Sequence, residues 1–113
     1  MKIAVTYENG LVGQHFGHTE KMKLYQVEDN QVVNSEVKPT NAHGHKAMAQ
    51  FLKENQVDAL ICGGIGGPAI DALTEAGIAH YAGVKGMCNE SVTALLKGTL
   101  TYDLGPTCQE HKA

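Results

Sequence analysis

Apolar and polar residues alternate over residues 2–7, where Ile3, Val5 and Tyr7 fall on one side, and this period of two predicts a first β-strand. From Glu8 to Glu20 the alternation stops, and Asn9-Gly10, Gly13 and Gly17 punctuate a long loop. Loops of that length inside a compact domain are usually functional or disordered. Two further strand-like runs, 22–28 and 31–37, flank Asp29-Asn30, a pair that tolerates the left-handed backbone of a tight hairpin. After Pro39 the period lengthens. Ala47, Met48, Phe51 and Leu52 recur at helical spacing, with Lys46, Lys53 and Glu54 off the stripe, which predicts a helix over 44–55. Val57 to Cys62 is nearly free of polar residues, as in a strand covered on both faces. The run Gly63-Gly64-Ile65-Gly66-Gly67-Pro68 leads into a second helix whose buried side is Ala69, Ile70, Leu73 and Ala76. Pro68 suits its first position and Gly77 its stop. Ile78 to Ala82 reads as a fifth strand, with His80 expected to be a satisfied core residue, and Val92, Leu95 and Leu96 mark a third helix between Asn89 and Gly98. The segment from Thr99 has little pattern and is expected to be loosely held, giving one domain over 1–104 and a tail over 105–113.

The order β-β-β-α-β-α-β-α predicts an α/β domain with a mixed five-stranded sheet and three helices, the second strand antiparallel to the rest. The other four strands then end at one edge of the sheet, where open α/β sheets bind ligands. The Glu8–Glu20 loop, the Thr40–His45 connection, the glycine run after Cys62 and the Gly83–Cys88 loop all leave that edge. His15, His18, His43, His45, Cys62 and Cys88 are thereby brought together from distant parts of the chain.

Composition narrows the partners. The 113 residues and 12.1 kDa suit a single core. No apolar run approaches the roughly 20 residues that span a bilayer, and the strand-like start at Met1 argues against a secretion signal. Nine lysines, no arginine and a formal charge of -3 argue against non-specific nucleic-acid binding, which needs a basic face. Three cysteines, an odd number, point to reduced thiols in the cytoplasm.

The segment Gly64-Ile65-Gly66-Gly67-Pro68-Ala69 fits G-x-G-x-x-A between a strand and a helix, so its N–H groups and the helix dipole are candidates for holding an anion. Ile78 to Gly86 lacks the acidic residue that a dinucleotide site expects, and no lysine of a phosphate-loop NTPase follows the run. A tight turn in which glycine permits close packing remains the alternative. Two imidazoles lie three apart in His15-Phe16-Gly17-His18, and two more in His43-Gly44-His45. Neutral imidazole ligates transition metals, and imidazolium pairs with anionic cofactors. None of these spacings is that of a zinc finger or of H-E-x-x-H. Cys62 closes a buried strand and reads first as a packing group. Cys88, near a helix start, is expected to have a lowered pKa and to favour a thiolate ligand. Cys108-x-x-His111 in the tail is a further candidate pair. Glu8 and Glu20 are the only carboxylates of the first loop, too few for two-metal phosphodiester chemistry, and no nucleophile with an oriented base is evident.

Taken together, the opening Met-Lys-Ile-Ala-Val-Thr, His15-Phe16-Gly17-His18, His43-Gly44-His45 before an amphipathic helix, and Cys62-Gly63-Gly64-Ile65-Gly66-Gly67-Pro68-Ala69 followed by Gly77-Ile78 resemble the dinitrogenase iron-molybdenum cofactor biosynthesis family over nearly the whole chain. The resemblance implies a ribonuclease H-like fold with sheet order 3-2-1-4-5, without nuclease carboxylates. It also implies a nitrogenase-accessory role, in which an iron-molybdenum or other molybdenum or iron-sulfur cluster, or its precursor, is bound and carried. His15 matches the family's cluster-contacting histidine within the segment His15, Phe16, Gly17, His18. His43 and His45 match its histidine-rich segment, and Gly64, Gly66 and Gly67 its glycine loop. With no arginine in the chain, Lys46, Lys85, imidazolium and backbone amides have to neutralise an anionic cluster.

The expected function is therefore a cytoplasmic, non-catalytic carrier or scaffold of a metal-sulfur cluster. His15, His18, His43 and His45 supply ligation or charge pairing in this reading, with Cys62 and Cys88 as thiolates. Its partners would be cluster-assembly or acceptor proteins, neither nucleic acid nor membrane, and the chain a monomer or weak homo-oligomer. The alternative is a module or minor enzyme that takes a small anion or nucleotide in the Gly63–Gly67 loop.

Overall fold

The structure is a computed structural model and describes residues 1–104. Its strands are β1 (Lys2–Glu8), β2 (Leu11–Val12), β3 (Lys21–Glu28), β4 (Gln31–Pro39), β5 (Ala59–Ile61) and β6 (Ala79–Tyr81), and its helices α1 (His45–Glu54), α2 (Gly67–Glu75) and α3 (Cys88–Lys97). The five longer strands lie in the order β4-β3-β1-β5-β6, which is the expected 3-2-1-4-5. β3 runs antiparallel to β1 and β4, while β1, β5 and β6 are parallel, so the expected mixed sheet is present.

β1 lies in the middle of the sheet, and Ile3, Ala4, Val5 and Thr6 are buried whichever face they point to. Alternation then sorts the core into two layers. Ala4, Met22, Leu24 and Leu60 meet Met48, Ala49 and Leu52 of α1 and Ala69 and Leu73 of α2 on one face. Ile3, Val5, Tyr25, Val27 and Ile61 meet Cys88 and Val92 of α3 on the other. No helix among the described residues is long and apolar enough to cross a membrane.

Four local features depart from the expectations. The Glu8–Glu20 loop is partly ordered: Asn9 (φ 52°) and Gly10 (φ 88°) turn the chain so that β2 pairs with β1, and a 3-10 turn spans Phe16–His18. Positive φ at both turn residues matches the twist of a two-residue hairpin, and Asp29 (φ 51°) with Asn30 (φ 63°) repeats it between β3 and β4. The helices begin and end within a residue or so of the predicted limits, α3 starting at Cys88 instead of after Asn89. His80 is half-buried, not in the core, because β6 is an outer strand, and its Nε2 lies 2.7 Å from the Leu104 carbonyl. Residues 99–104 are held to β6: Asp103 and Ala82 exchange backbone hydrogen bonds of 2.8 and 3.0 Å, and the Tyr102 ring meets Tyr81 edge-on at 4.7 Å. The expectation of a loose segment therefore fails as far as Leu104, and the tail over 105–113, with Cys108 and His111, lies outside the described residues.

Candidate functional site

Beyond the regular strands the backbone pairing continues into the loops. Gly63 N–H donates to the Gly13 carbonyl (3.0 Å), Gly64 N–H to that of Gln14 (2.6 Å), and Phe16 N–H to that of Gly64 (3.0 Å). Gly83 N–H and Val84 N–H donate in turn to Gly63 and Cys62. Three loops are thus laced side by side above β1, β5 and β6. Gln14 ties them further, its Nε2 donating to the carbonyls of Val12 (2.9 Å) and Val84 (3.1 Å).

This lacing fixes the histidine turn. The buried Phe16 ring sits in the α1 and α2 side of the core, while His15 and His18 on either side of it are exposed. His18 N–H and the Thr19 hydroxyl both donate to the His15 carbonyl, at 3.1 Å each, and the two imidazoles lie edge-on with centroids 6.3 Å apart. An apolar anchor between two polar neighbours therefore holds both rings out from the surface.

The rings border a cleft of about 1020 Å³. His15, His18, His43, His45, Gly64 and Gly66 line it, as do Phe16 and Gly17. Gln14, Pro68, Ala69, Gly83, Lys85 and Asp103 complete much of the wall. α1 starts there at His45 after Gly44 (φ 87°), and α2 starts after Gly66. Neither helix has a side-chain cap or an acidic residue in its first turn. Their terminal N–H groups and positive dipole ends are therefore left to whatever enters the cleft. Against the four imidazoles and Lys85 stands, among the described residues, one carboxylate, Asp103. His15 and His18 also border a smaller pocket of about 320 Å³ with Glu8 and Glu20. Lys46 is exposed and is not among the cleft-lining residues.

The two described cysteines stand apart from this wall. Cys62 is fully buried behind the glycine run, among the core residues on the α1 and α2 side, and Cys88 is 1% exposed on the α3 side. Neither is in a disulfide. Burial pushes the Cys88 thiol up despite the nearby Lys23, and its Sγ faces the Thr6 carbonyl at 3.7 Å. The lowering expected at the helix start is thus reversed, because desolvation outweighs the nearby Lys23 and the backbone N–H. Among the described residues, no three His, Cys, Asp or Glu side chains are grouped to hold a metal ion.

The glycine run divides between the two roles open to it. A Cβ on Gly63 would lie 2.7 Å from the Cα, Cδ and Nε2 of Gln14, so Gly63 is there for packing. A Cβ on Gly67 would meet nothing within 4 Å, and Gly64 and Gly66 face the cleft. Sequence reasoning missed Gln14 and Asp103. A single glutamine carries no motif, and Asp103 falls in a stretch with no periodicity.

Comparison with known proteins bears on the family and the fold. The sequence profile of the family described as dinitrogenase iron-molybdenum cofactor matches residues 1–98. An uncharacterised protein of Methanocaldococcus jannaschii is 30% identical over 105 residues, covering 88% of this chain and 89% of that one. The apo form of the orange protein from Desulfovibrio gigas superimposes with a TM-score of 0.83 at 26% identity, covering 95% of this chain and 96% of the other.

Proposed function

Because this chain belongs to the dinitrogenase iron-molybdenum cofactor family, we propose that it is a non-catalytic carrier of an iron-molybdenum or related metal-sulfur cluster, or of its precursor, held in the cleft. One observation carries the reading: four imidazoles, Lys85 and two uncapped helix starts converge on one cavity of about 1020 Å³. That volume is far larger than a bare ion needs. The described residues also offer no grouped set of three metal-binding side chains. Such a wall suits a cargo whose metals already carry sulfide ligands and which needs only charge neutralisation and one or two protein donors. His15, His18, His43 and His45 supply imidazole ligation or charge pairing, Lys85 an ammonium, and Gly66 and Gly67 at the start of α2 backbone N–H groups for sulfide or oxo atoms, while Gly64, whose N–H is taken by Gln14, lines the wall without a side chain. Phe16 and Gly17 hold and clear the histidine turn. Each helix start adds about 0.3–1 kcal/mol toward an anion. The donors of the cargo and its acceptors would be cluster-assembly proteins.

The test is anaerobic reconstitution with ferrous iron, molybdate and sulfide, followed by desalting, metal analysis and a visible spectrum. Wild type should retain both metals and a visible chromophore, and His15→Ala should retain less of each. Failure of wild type to retain metal would remove the reading, and a rise in thermal stability with phosphate or nucleotide alone would favour an organic-anion module. Ligation by neutral imidazole and pairing with imidazolium are separated by pH. Acidification weakens the first and strengthens the second.

A further inference from the structure

The family match ends at residue 98, yet the wall of the cleft does not. Residues 99–104 return along the outer strand β6 and bring Asp103 to the cleft as its one carboxylate among the described residues. Three contacts hold them there. The backbone of Asp103 pairs in both directions with Ala82 (2.8 and 3.0 Å). Tyr102 packs edge-on against Tyr81, and the Leu104 carbonyl lies 2.7 Å from His80 Nε2. The two-way pairing fixes Asp103 opposite Ala82, and Asp103 and Lys85 both line the cleft.

A carboxylate is out of keeping with an anion cleft, since it repels any simple anion that the imidazoles, Lys85 and the helix starts attract. It suits a cargo that presents an exposed metal cation as well as sulfide. Carboxylate oxygen is a good donor to ferrous and other first-row cations. We propose that Asp103 is a specificity-determining residue, which disfavours all-anionic thiometallates and favours a cargo that carries an open iron site. This rests on the cluster-carrier reading above. The bond formed is dative, from an Asp103 carboxylate oxygen to the iron, and it replaces a bound water without any change of oxidation state.

The experiment measures binding of two probes to wild type and Asp103→Asn by visible absorption under nitrogen: tetrathiomolybdate alone, and tetrathiomolybdate premixed with ferrous iron. Asparagine keeps the shape and the backbone pairing while removing the charge. Tetrathiomolybdate alone should bind the variant about fivefold more tightly, the effect of one like charge removed at cleft distance in a partly screened medium. The iron-containing probe should bind it at least about tenfold more weakly, as for loss of a metal-supporting group. Asp103→Ala should reproduce both directions. Shifts in the same direction for both probes, or no shift with either, overturn this inference while leaving the carrier reading in place. If wild type binds neither probe, both readings fall together.

Discussion

Gly63→Ala is the sharpest test of how the cleft is built. The added methyl would lie 2.7 Å from Gln14 Cα, Cδ and Nε2, where ordinary contacts begin near 3.4 Å. Two of those atoms belong to a flexible side chain, but Cα is backbone and cannot swing away. The two loops must separate by about 0.7 Å or more, the difference between those two distances. That displacement acts on the hydrogen bonds from Gly63 to Gly13 (3.0 Å) and from Gly64 to Gln14 (2.6 Å). Overpacking costs about 1–3 kcal/mol, and each weakened hydrogen bond up to about 1 kcal/mol. A loss of about 3 kcal/mol is expected, or a fall in Tm of about 12 °C for a domain of this size. Thermal unfolding followed by circular dichroism measures it. Gly67→Ala is the matched control, since its Cβ meets nothing within 4 Å. It should leave Tm unchanged or raise it slightly by restricting the unfolded chain. Equal stabilities for wild type and Gly63→Ala, or a Gly67→Ala as unstable as Gly63→Ala, would refute the packing argument.

Three other outcomes follow from the same geometry. Gln14→Met keeps the length of the side chain but removes both donors to the Val12 and Val84 carbonyls, and should cost about 1–2 kcal/mol in urea unfolding. Leu60→Ala, in the fully buried centre of β5, should cost about 2–5 kcal/mol by the same measurement. At alkaline pH the folded state should weaken. Burial raises the Cys88 thiol above its usual 9.0 and the Tyr25 phenol above its usual 10.0, the latter with help from the nearby Cys88 and Tyr7. The folded chain keeps these protons after the unfolded chain has released them, so stability is full below pH 9 and falls as pH rises beyond it. A stability profile flat from pH 8 to 11 would contradict this, and thiol labelling of native protein should be slow for Cys88.

Most of the fold follows from local signals that agree with one another. Asp29-Asn30 marks the β3–β4 turn because these residues accept positive φ, and both adopt it. Gly77 (φ 76°) and Gly98 (φ 76°) close α2 and α3 for the same reason. The meeting of His15, His18, His43 and His45 at one edge follows from chain direction alone: once β3 is the antiparallel strand, the connections that hold them must leave the same side. What escaped is set by contacts remote in sequence. Asn9-Gly10 looks like any loop punctuation until Val12 has found Tyr7 across the turn. The helix start alone predicts a lowered Cys88 thiol, and the reversal comes from burial in the α3 side of the core, which no local pattern announces. Likewise nothing in Thr99–Leu104 signals that Ala82 has both backbone groups free to receive Asp103.

The cleft offers an anion more than the charge of the whole chain suggests. A formal net charge of -3 would on average repel a thiometallate anion. Yet the cleft is lined by Lys85 and four imidazoles, with a single carboxylate among the described residues. Two helix dipoles end there without the acidic first-turn residues that usually absorb them. A concave, partly apolar wall focuses the local field, so an anion approaching the strand edge meets the Lys85 ammonium and the helix dipoles more strongly than the distant carboxylates. The division suits a carrier. Local attraction provides capture without arginine forks, whose bidentate hold would be harder to undo. The net negative charge of the chain limits adhesion to other polyanions, and Asp103 leaves room for a choice among cargoes of similar charge.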